Sequence, residues 1–412
     1  MDTYYLGDCL EVMDKLEADS IDAIITDPPY ELNFMGKGWD NAGISFNKET
    51  WVKCLRLLKP GGYLLTFGGS RTFHRIACAI EDAGFEIRDT IMWIYGSGFP
   101  KSMNISKGIE DKNKYGKANT IAKRKVEQNS DGKEYKVIQT NNGAMGEKKI
   151  VNRREYKPVD SSAKQWSGWG TCLKPAFEPI IVARKPFKGS LVDNILEHGV
   201  GGLNIDECRV GNEEQAQLSR NVASGRFPAN IIHDGSEEAT GGMPKTKGCQ
   251  GKGFKKGDYK SSAVNTTFSR GDCVPYNDFG SASRYFYCAK ASKRDRDEGL
   301  DEFEEKTKVF NGKSQSSSKE IKDVEKRFTT RLRNTHPTVK PTALMQYLVR
   351  LVCPKGSVIL DPFMGSGSTG KATAYENKDR NAGYSFIGIE QDEQYLEIAK
   401  ARIKYANRKE EE

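Results

Sequence analysis

The chain has 412 residues, room for two or three domains, with 37% hydrophobic and 29% charged residues, a balance that excludes a wholly disordered protein. No apolar run reaches the ~18 residues that cross a bilayer, and the start Met1-Asp-Thr-Tyr-Tyr5 lacks the basic and apolar regions of a secretory signal, so no membrane partner and a cytoplasmic location are expected. The net charge of +8 is uneven: residues 101–188 hold twenty Lys and Arg against nine Asp and Glu, an excess that suits either a polyanionic partner or a solvated insertion.

In chain order, residues 21–26 (Ile-Asp-Ala-Ile-Ile-Thr) read as a strand buried on both faces, stopped by Asp27-Pro-Pro-Tyr30. Residues 51–58 have helical spacing, Pro60-Gly61-Gly62 breaks it, and 63–67 is the next strand. A helix over 72–83, a strand over 87–95 and a strand over 178–183 follow. Residues 100–170 and 188–335 are rich in Gly, Ser, Asn and Lys and show little periodicity, apart from apolar islands at 227–232 and 285–288. Regularity returns with a helix over 342–352, a strand over 356–360, a glycine-rich turn Asp361-Pro-Phe-Met-Gly-Ser-Gly-Ser-Thr369, a helix from 370, a strand over 386–389 and a helix over 395–405. One sheet built from both ends of the chain around an irregular middle is predicted. The nine cysteines include no Cys-x-x-Cys pair and the four histidines are scattered, so reduced, structural cysteines and no metal site are expected.

Two segments carry chemistry. A glycine-rich turn between strand and helix, with Glu390 ending the next strand, suits a nucleotide-type ligand whose ribose hydroxyls an acid can accept. On these residues alone a dehydrogenase site and a plain tight turn both stay open. The loop Asp27-Pro28-Pro29-Tyr30 offers a carboxylate, a carbonyl ahead of a proline and an aromatic face, a set suited to a planar ring with an exocyclic amine; a plain Pro-rich loop is the alternative.

With Asp27-Pro-Pro-Tyr30, Leu58-Lys-Pro-Gly-Gly62, His336-Pro-Thr-Val-Lys-Pro341, Asp361-Pro-Phe-Met-Gly-Ser-Gly367 and Ile387-Gly-Ile-Glu390 in this order, the chain resembles the S-adenosylmethionine-dependent DNA amino-methyltransferases of the beta arrangement, a circular permutation in which the catalytic loop precedes the cofactor loop. The resemblance implies a Rossmann-like α/β methyltransferase fold with a mostly parallel seven-stranded sheet. It divides the chain into a catalytic half (1–100), a basic insertion (101–170), a sheet strand (171–187), a target-recognition region (188–335) and a cofactor-binding half (336–412). It implies catalysis by Asp27, Pro28, Pro29 and Tyr30, and S-adenosylmethionine held by Asp8, Asp361, Phe363, Gly365, Ser366, Gly367 and Glu390. The reaction would be in-line methyl transfer to an extruded base. Asp at the first position of the catalytic motif goes with adenine N6 in this family; cytosine N4, an RNA or protein substrate, or a non-enzymatic DNA-binding protein are the alternatives. DNA is the expected partner. Lys123, Arg124, Lys125, Lys148, Lys149, Arg153, Arg154, Lys252, Lys255, Lys256 and Arg270 are candidate phosphate contacts, and Phe34 and Trp39 candidate walls of the base pocket. A homodimer and a restriction endonuclease partner are further arrangements that the resemblance leaves open.

Overall fold

A computed structural model of the chain describes residues 2–32, 42–98, 102–116, 137–140, 149–152, 156–211, 225–246, 280–289, 292–309 and 329–408. The chain divides into two compact units. The first comprises Met1–Ser97, Ala176–Lys308 and Thr330–Glu412, the second Gly98–Pro175 and Val309–Thr329. The predicted insertion at 101–170 lies within the second.

The first unit is organised by one sheet. Its strands are β1 (Thr3–Leu6), β2 (Ile21–Thr26), β3 (Leu58–Phe67), β4 (Glu86–Ile94), β5 (Phe177–Arg184), β6 (Ile231–His233), β7 (Tyr287–Cys288), β8 (Val358–Asp361) and β9 (Ser385–Glu390), in the spatial order β1-β9-β8-β2-β3-β5-β4-β6-β7. All pairings are parallel except those of β5, which runs antiparallel to both β3 and β4. The seven strands expected of the fold are β1 to β5, β8 and β9; β6 and β7, built from the two apolar islands, extend the sheet beyond them. Every residue of β2 is buried, which explains its near-continuous apolar sequence.

Helices cover both faces. On one, α1 (Cys9–Lys15), α2 (Lys48–Leu57) and α3 (Phe73–Asp82) set Met13, Trp51, Leu57, Ile76 and Ile80 against Ile24, Leu64 and Ile181. On the other, α7 (Thr342–Val352), α8 (Ser368–Arg380) and α9 (Glu393–Ala406) set Leu344, Leu348, Ala372, Leu396 and Ile403 against Ala23, Ile25 and Leu65. Each fully buried Leu or Ile contributes roughly 1.5–3 kcal/mol, so the two layers hold the strand ends in register.

Three elements depart from the sequence reading. Lys59-Pro-Gly-Gly62 does not separate a helix from a strand; β3 starts at Leu58, and the register jumps from Ile21↔Leu58 to Ala23↔Tyr63. These four residues bulge, with Gly61 at φ +83°. The bulge is satisfied by Asn194 Nδ2, 3.0 Å from Pro60 O, and by Lys185 N, 2.9 Å from Gly62 O; Asn194 lies on α5 (Leu191–His198). In the second unit, the stretch read as irregular contains α4 (Ile105–Tyr115), started by Asn104 Oδ1 accepting from Lys107 N at 3.0 Å and stopped at Gly116 in the left-handed region. That unit also holds a hairpin pairing Val137–Thr140 with Lys149–Asn152. Finally, part of the region expected to serve target recognition packs on the last helices of the chain: Asp295, on α6 (Lys293–Asp297), pairs with the buried Lys371 of α8 at 2.7 Å. Among the described residues no helix is long and apolar enough to cross a membrane.

Candidate active site at the carboxyl ends of the strands

β8 leads leftward in the sheet to β9, and β2 rightward to β3, so the strand order reverses between two neighbours, β8 and β2. Open α/β sheets bind ligands beyond the carboxyl ends of strands at such a reversal. Asp27-Pro-Pro-Tyr30 leaves β2 there, and the glycine-rich turn leaves β8 beside it. Leu360↔Ile24 pairing sets the two strands in register.

Asp361 ties the two loops together. Its Oδ1 accepts from Thr26 Oγ1 at 2.6 Å and from Phe363 N at 3.1 Å, and its Oδ2 from Thr369 Oγ1 at 2.6 Å. Burial pushes its pKa up to about 6, against the pull of these hydrogen bonds. The carboxylate of this predicted cofactor residue is thus engaged inside the protein, bracing β2 against the turn.

The turn itself is shaped for close approach. Gly365 has φ +54°, and a Cβ there would stand 2.9 Å from His336 Nε2; only glycine fits without strain. Ser366 is buried, and its carbonyl accepts from Arg402 Nη1 at 2.5 Å, while Gly367 (φ +76°) abuts Ala399. Phe363 packs on the cluster that includes Trp51 and Ile389. Burial holds His336 neutral, down to about 4. Glu390 ends β9 with Oε2 accepting from Gly365 N at 2.8 Å and Oε1 from Asp392 N at 2.9 Å. Burial is the larger influence, pushing Glu390 up to about 7. A carboxylate has about four acceptor positions, and with the backbone of Gln391 also donating, part of this capacity stays open to a ligand. Asp8 follows β1, whose Leu6 pairs with Glu390, but its Oδ1 caps α1, accepting from Leu10 N at 2.8 Å.

The loop Asp27-Pro-Pro-Tyr30 is set in a four-residue cluster. Tyr30 Oη lies 2.8 Å from Asp27 Oδ1 and 2.9 Å from Glu178 Oε2. Lys340 Nζ donates to Asp27 Oδ2 at 2.5 Å and to Tyr30 Oη at 3.1 Å, and lies 3.2 Å from Glu178 Oε2. Burial pulls the Lys340 ammonium down, but Asp27 and Glu178 outweigh it and hold it above the usual lysine range. The Tyr30 phenol is held well up by burial and by the same two carboxylates. Thr72 Oγ1 donates to Tyr30 O at 2.8 Å, and Pro28 is buried, which fixes the loop.

Sequence reasoning missed Glu178 and did not assign Lys340 its part. Glu178 reaches the site because β5 runs antiparallel: it enters the sheet at the edge where the parallel strands leave. A lone acid at the head of an apolar strand was the available signal. Lys340 sat inside a quoted motif, flanked by Val339 and Pro341. Phe34, Trp39, Lys123, Arg124, Lys125, Lys148, Arg153, Arg154, Lys252, Lys255, Lys256 and Arg270 lie outside the described residues, and of Lys149 only the backbone, in the hairpin, is described.

A model of the DNA methylase family, which covers N6 and N4 methyltransferases, matches residues 21–401. This chain belongs to that family. Among relatives of this methylase, the type II methyltransferase M.HindIII of Haemophilus influenzae is 23% identical over 261 residues, 53% of this chain and 70% of that protein. M.HpaI of Haemophilus parainfluenzae is 34% identical over 114 residues, 26% of this chain and 35% of that protein; the methylase thus matches about a third of M.HpaI. The crystal structure of the M1.HpyAVI–SAM complex aligns over 98% of this chain and 100% of that one, at 18% identity and a TM-score of 0.38.

Proposed function

We propose that the methylase transfers a methyl group from S-adenosylmethionine to N6 of adenine in DNA. The observation that carries this reading is the adjacency of the two loops: Asp27 and Tyr30 leave β2 next to the turn 361–367 leaving β8, with Asp361 hydrogen-bonded to Thr26 between them.

The residues fit such a donor. Glu390, half-buried and with acceptor positions to spare, would take the ribose hydroxyls. The Gly365 turn, which a side chain would fill, would let the donor's methionine half approach the backbone. When bound, the donor supplies a sulfonium-activated methyl group, so no covalent enzyme intermediate is required. The protein's own task is to place and polarise the amine. Asp27 and the Pro28 carbonyl would accept its two hydrogens, loosening the lone pair from the ring, and Tyr30 would stack on the base. Stacking contributes about 1–3 kcal/mol per base. Since a paired base cannot reach the loop, the target must leave the duplex. The aspartate in the first motif position favours adenine over cytosine N4, through the resemblance the motif carries.

We infer further that the predicted division of the chain holds for activity: 188–335 reads the target, and the basic residues of 101–170 contact phosphates. The test is methyl transfer from radiolabelled donor to duplex DNA, single strands and RNA, with the labelled base identified by chromatography. N6-methyladenine in duplex DNA is the expected product; N4-methylcytosine, or label in RNA alone, overturns the reading.

A further inference from the structure

An amine that has accepted a methyl group carries a positive charge and must release a proton before it leaves as product. Asp27 is the nearest acceptor, and it must be emptied again before it can polarise the next amine. We propose that Glu178 is the final acceptor of this proton, reached from Asp27 through the hydroxyl of Tyr30. The proposal rests on the amino-methyltransferase reading above and adds to it a residue and a route.

Distances support the route. Tyr30 Oη stands within hydrogen-bond reach of both carboxylates, 2.8 Å from Asp27 Oδ1 and 2.9 Å from Glu178 Oε2, yet it has one proton to give. It therefore donates to one acid and can accept from the other. In the transfer step the N–C bond forms from the amine's lone pair as the C–S bond breaks, its electron pair staying on sulfur, which departs as a neutral thioether. The N–H bond then breaks, its electrons returning to nitrogen, and the proton passes to Asp27 Oδ1. Next, Asp27 gives the proton to Tyr30 Oη while Tyr30 gives its own to Glu178 Oε2. One O–H bond forms for each one broken, and the phenol is restored.

Charge supports the direction. Two carboxylates and the Lys340 ammonium sum to one negative charge, so the cluster becomes neutral on taking one proton. Lys340 does not compete for that proton: it is already charged, and its side chain is only 7% exposed against 18% for Asp27 and 21% for Glu178. Tyr30 passes a proton on without ionising, since both neighbouring acids oppose a phenolate. The other groups facing the cluster are Tyr95, just past β4, whose hydroxyl bonds to Glu178, and Asp361, from β8, which repels Asp27. Glu178, 21% exposed and at the far end of the route from the amine, is the outlet to water.

The experiment compares the full-length wild type with Glu178→Gln, Glu178→Asp and Tyr30→Phe. Methyl transfer is followed in single-turnover and steady-state modes across pH, and uptake of the base by the fluorescence of 2-aminopurine at the target position. Glu178→Gln and Tyr30→Phe should each keep the fluorescence signal and lower kcat by at least about tenfold, with the single-turnover rate reduced less. The kcat–pH profile of Glu178→Gln should shift from the wild-type one. Glu178→Asp should restore part of the rate, and the double variant Tyr30→Phe/Glu178→Gln should be no slower than the slower single variant, as expected of groups on one route. Wild-type kcat and an unshifted profile in Glu178→Gln overturn the relay alone, as does a lowered kcat with an unshifted profile and additive losses. Absence of methyl transfer to DNA by the wild type overturns the underlying reading as well.

Discussion

Replacing Glu390 with Gln separates what the fold gains from what the ligand gains. In the folded protein burial raises this carboxyl from 4.5 to about 7. At about 1.4 kcal/mol per unit, the ionised group costs the folded state roughly 3 kcal/mol above pH 7. The folded pKa lies above the unfolded one, so the stabilisation is fully present below pH 4.5 and is lost as pH rises through 7. Wild-type stability minus that of Glu390→Gln should therefore fall by about 3 kcal/mol between pH 4.5 and pH 8; Asp361, unchanged in both, cancels. Urea unfolding of the ligand-free proteins at several pH values measures this difference. Binding moves the other way. Hydroxyl donors prefer the carboxylate, so calorimetric affinity for S-adenosylmethionine should rise with pH up to about 7 in the wild type and be weaker in Glu390→Gln throughout. Parallel stability curves for the two proteins, or equal affinities, would refute the assignment.

Three further outcomes follow from the geometry and one from the charge of the insertion. Asp27→Asn should lower methyl transfer by ~10²–10⁴-fold while leaving donor affinity within a factor of a few, measured by single-turnover kinetics and calorimetry. Lys340→Met leaves Asp27 and Glu178 without their cation; it should cost about 3–5 kcal/mol of stability, as chemical denaturation will report. Gly365→Ala puts a methyl against His336 at a positive φ, and should lower the thermal midpoint and weaken donor binding together, at a cost of about 1–3 kcal/mol. Reversing charge at Lys123, Arg124 and Lys125 should flatten the dependence of log K for DNA on log salt by up to about 0.9 for each phosphate no longer neutralised; an unchanged slope removes these residues from the interface.

The elements that position the site were legible where burial leaves a one-dimensional trace. β2 reads as a strand because both its faces are covered, and α7 and α9 read as helices because one face of each is apolar. β1 escaped because an edge strand of Thr-Tyr-Tyr-Leu, exposed at both ends and half-buried at both tyrosines, shows no alternation. β6 and β7 escaped because two or three residues carry no periodicity, and α4 because Gly108 and a run of polar residues mask its spacing. Motifs singled out Asp27-Pro-Pro-Tyr30 and the turn 361–367, yet they did not reveal that Asp361 faces inward or that Asp8 caps a helix. Glu178 and Lys340 join Asp27 only because β5 reverses direction and the loop before α7 folds back across the sheet. Such neighbours, 148 to 313 residues apart in the chain, leave no local signature.

The pairing of β1 with β9 and of β2 with β8 has a consequence for synthesis. The Thr26–Asp361 hydrogen bond spans 335 residues, so β2 can pair with β3 soon after both are made but waits for about 330 further residues before β8, its neighbour on the other side, exists. Loop closure over such a distance slows folding, and during that interval the β8-facing edge of an apolar strand stays open to other chains. A nascent polypeptide released early would thus hold the loop 27–30 without the turn 361–367 beside it, and would be prone to aggregate.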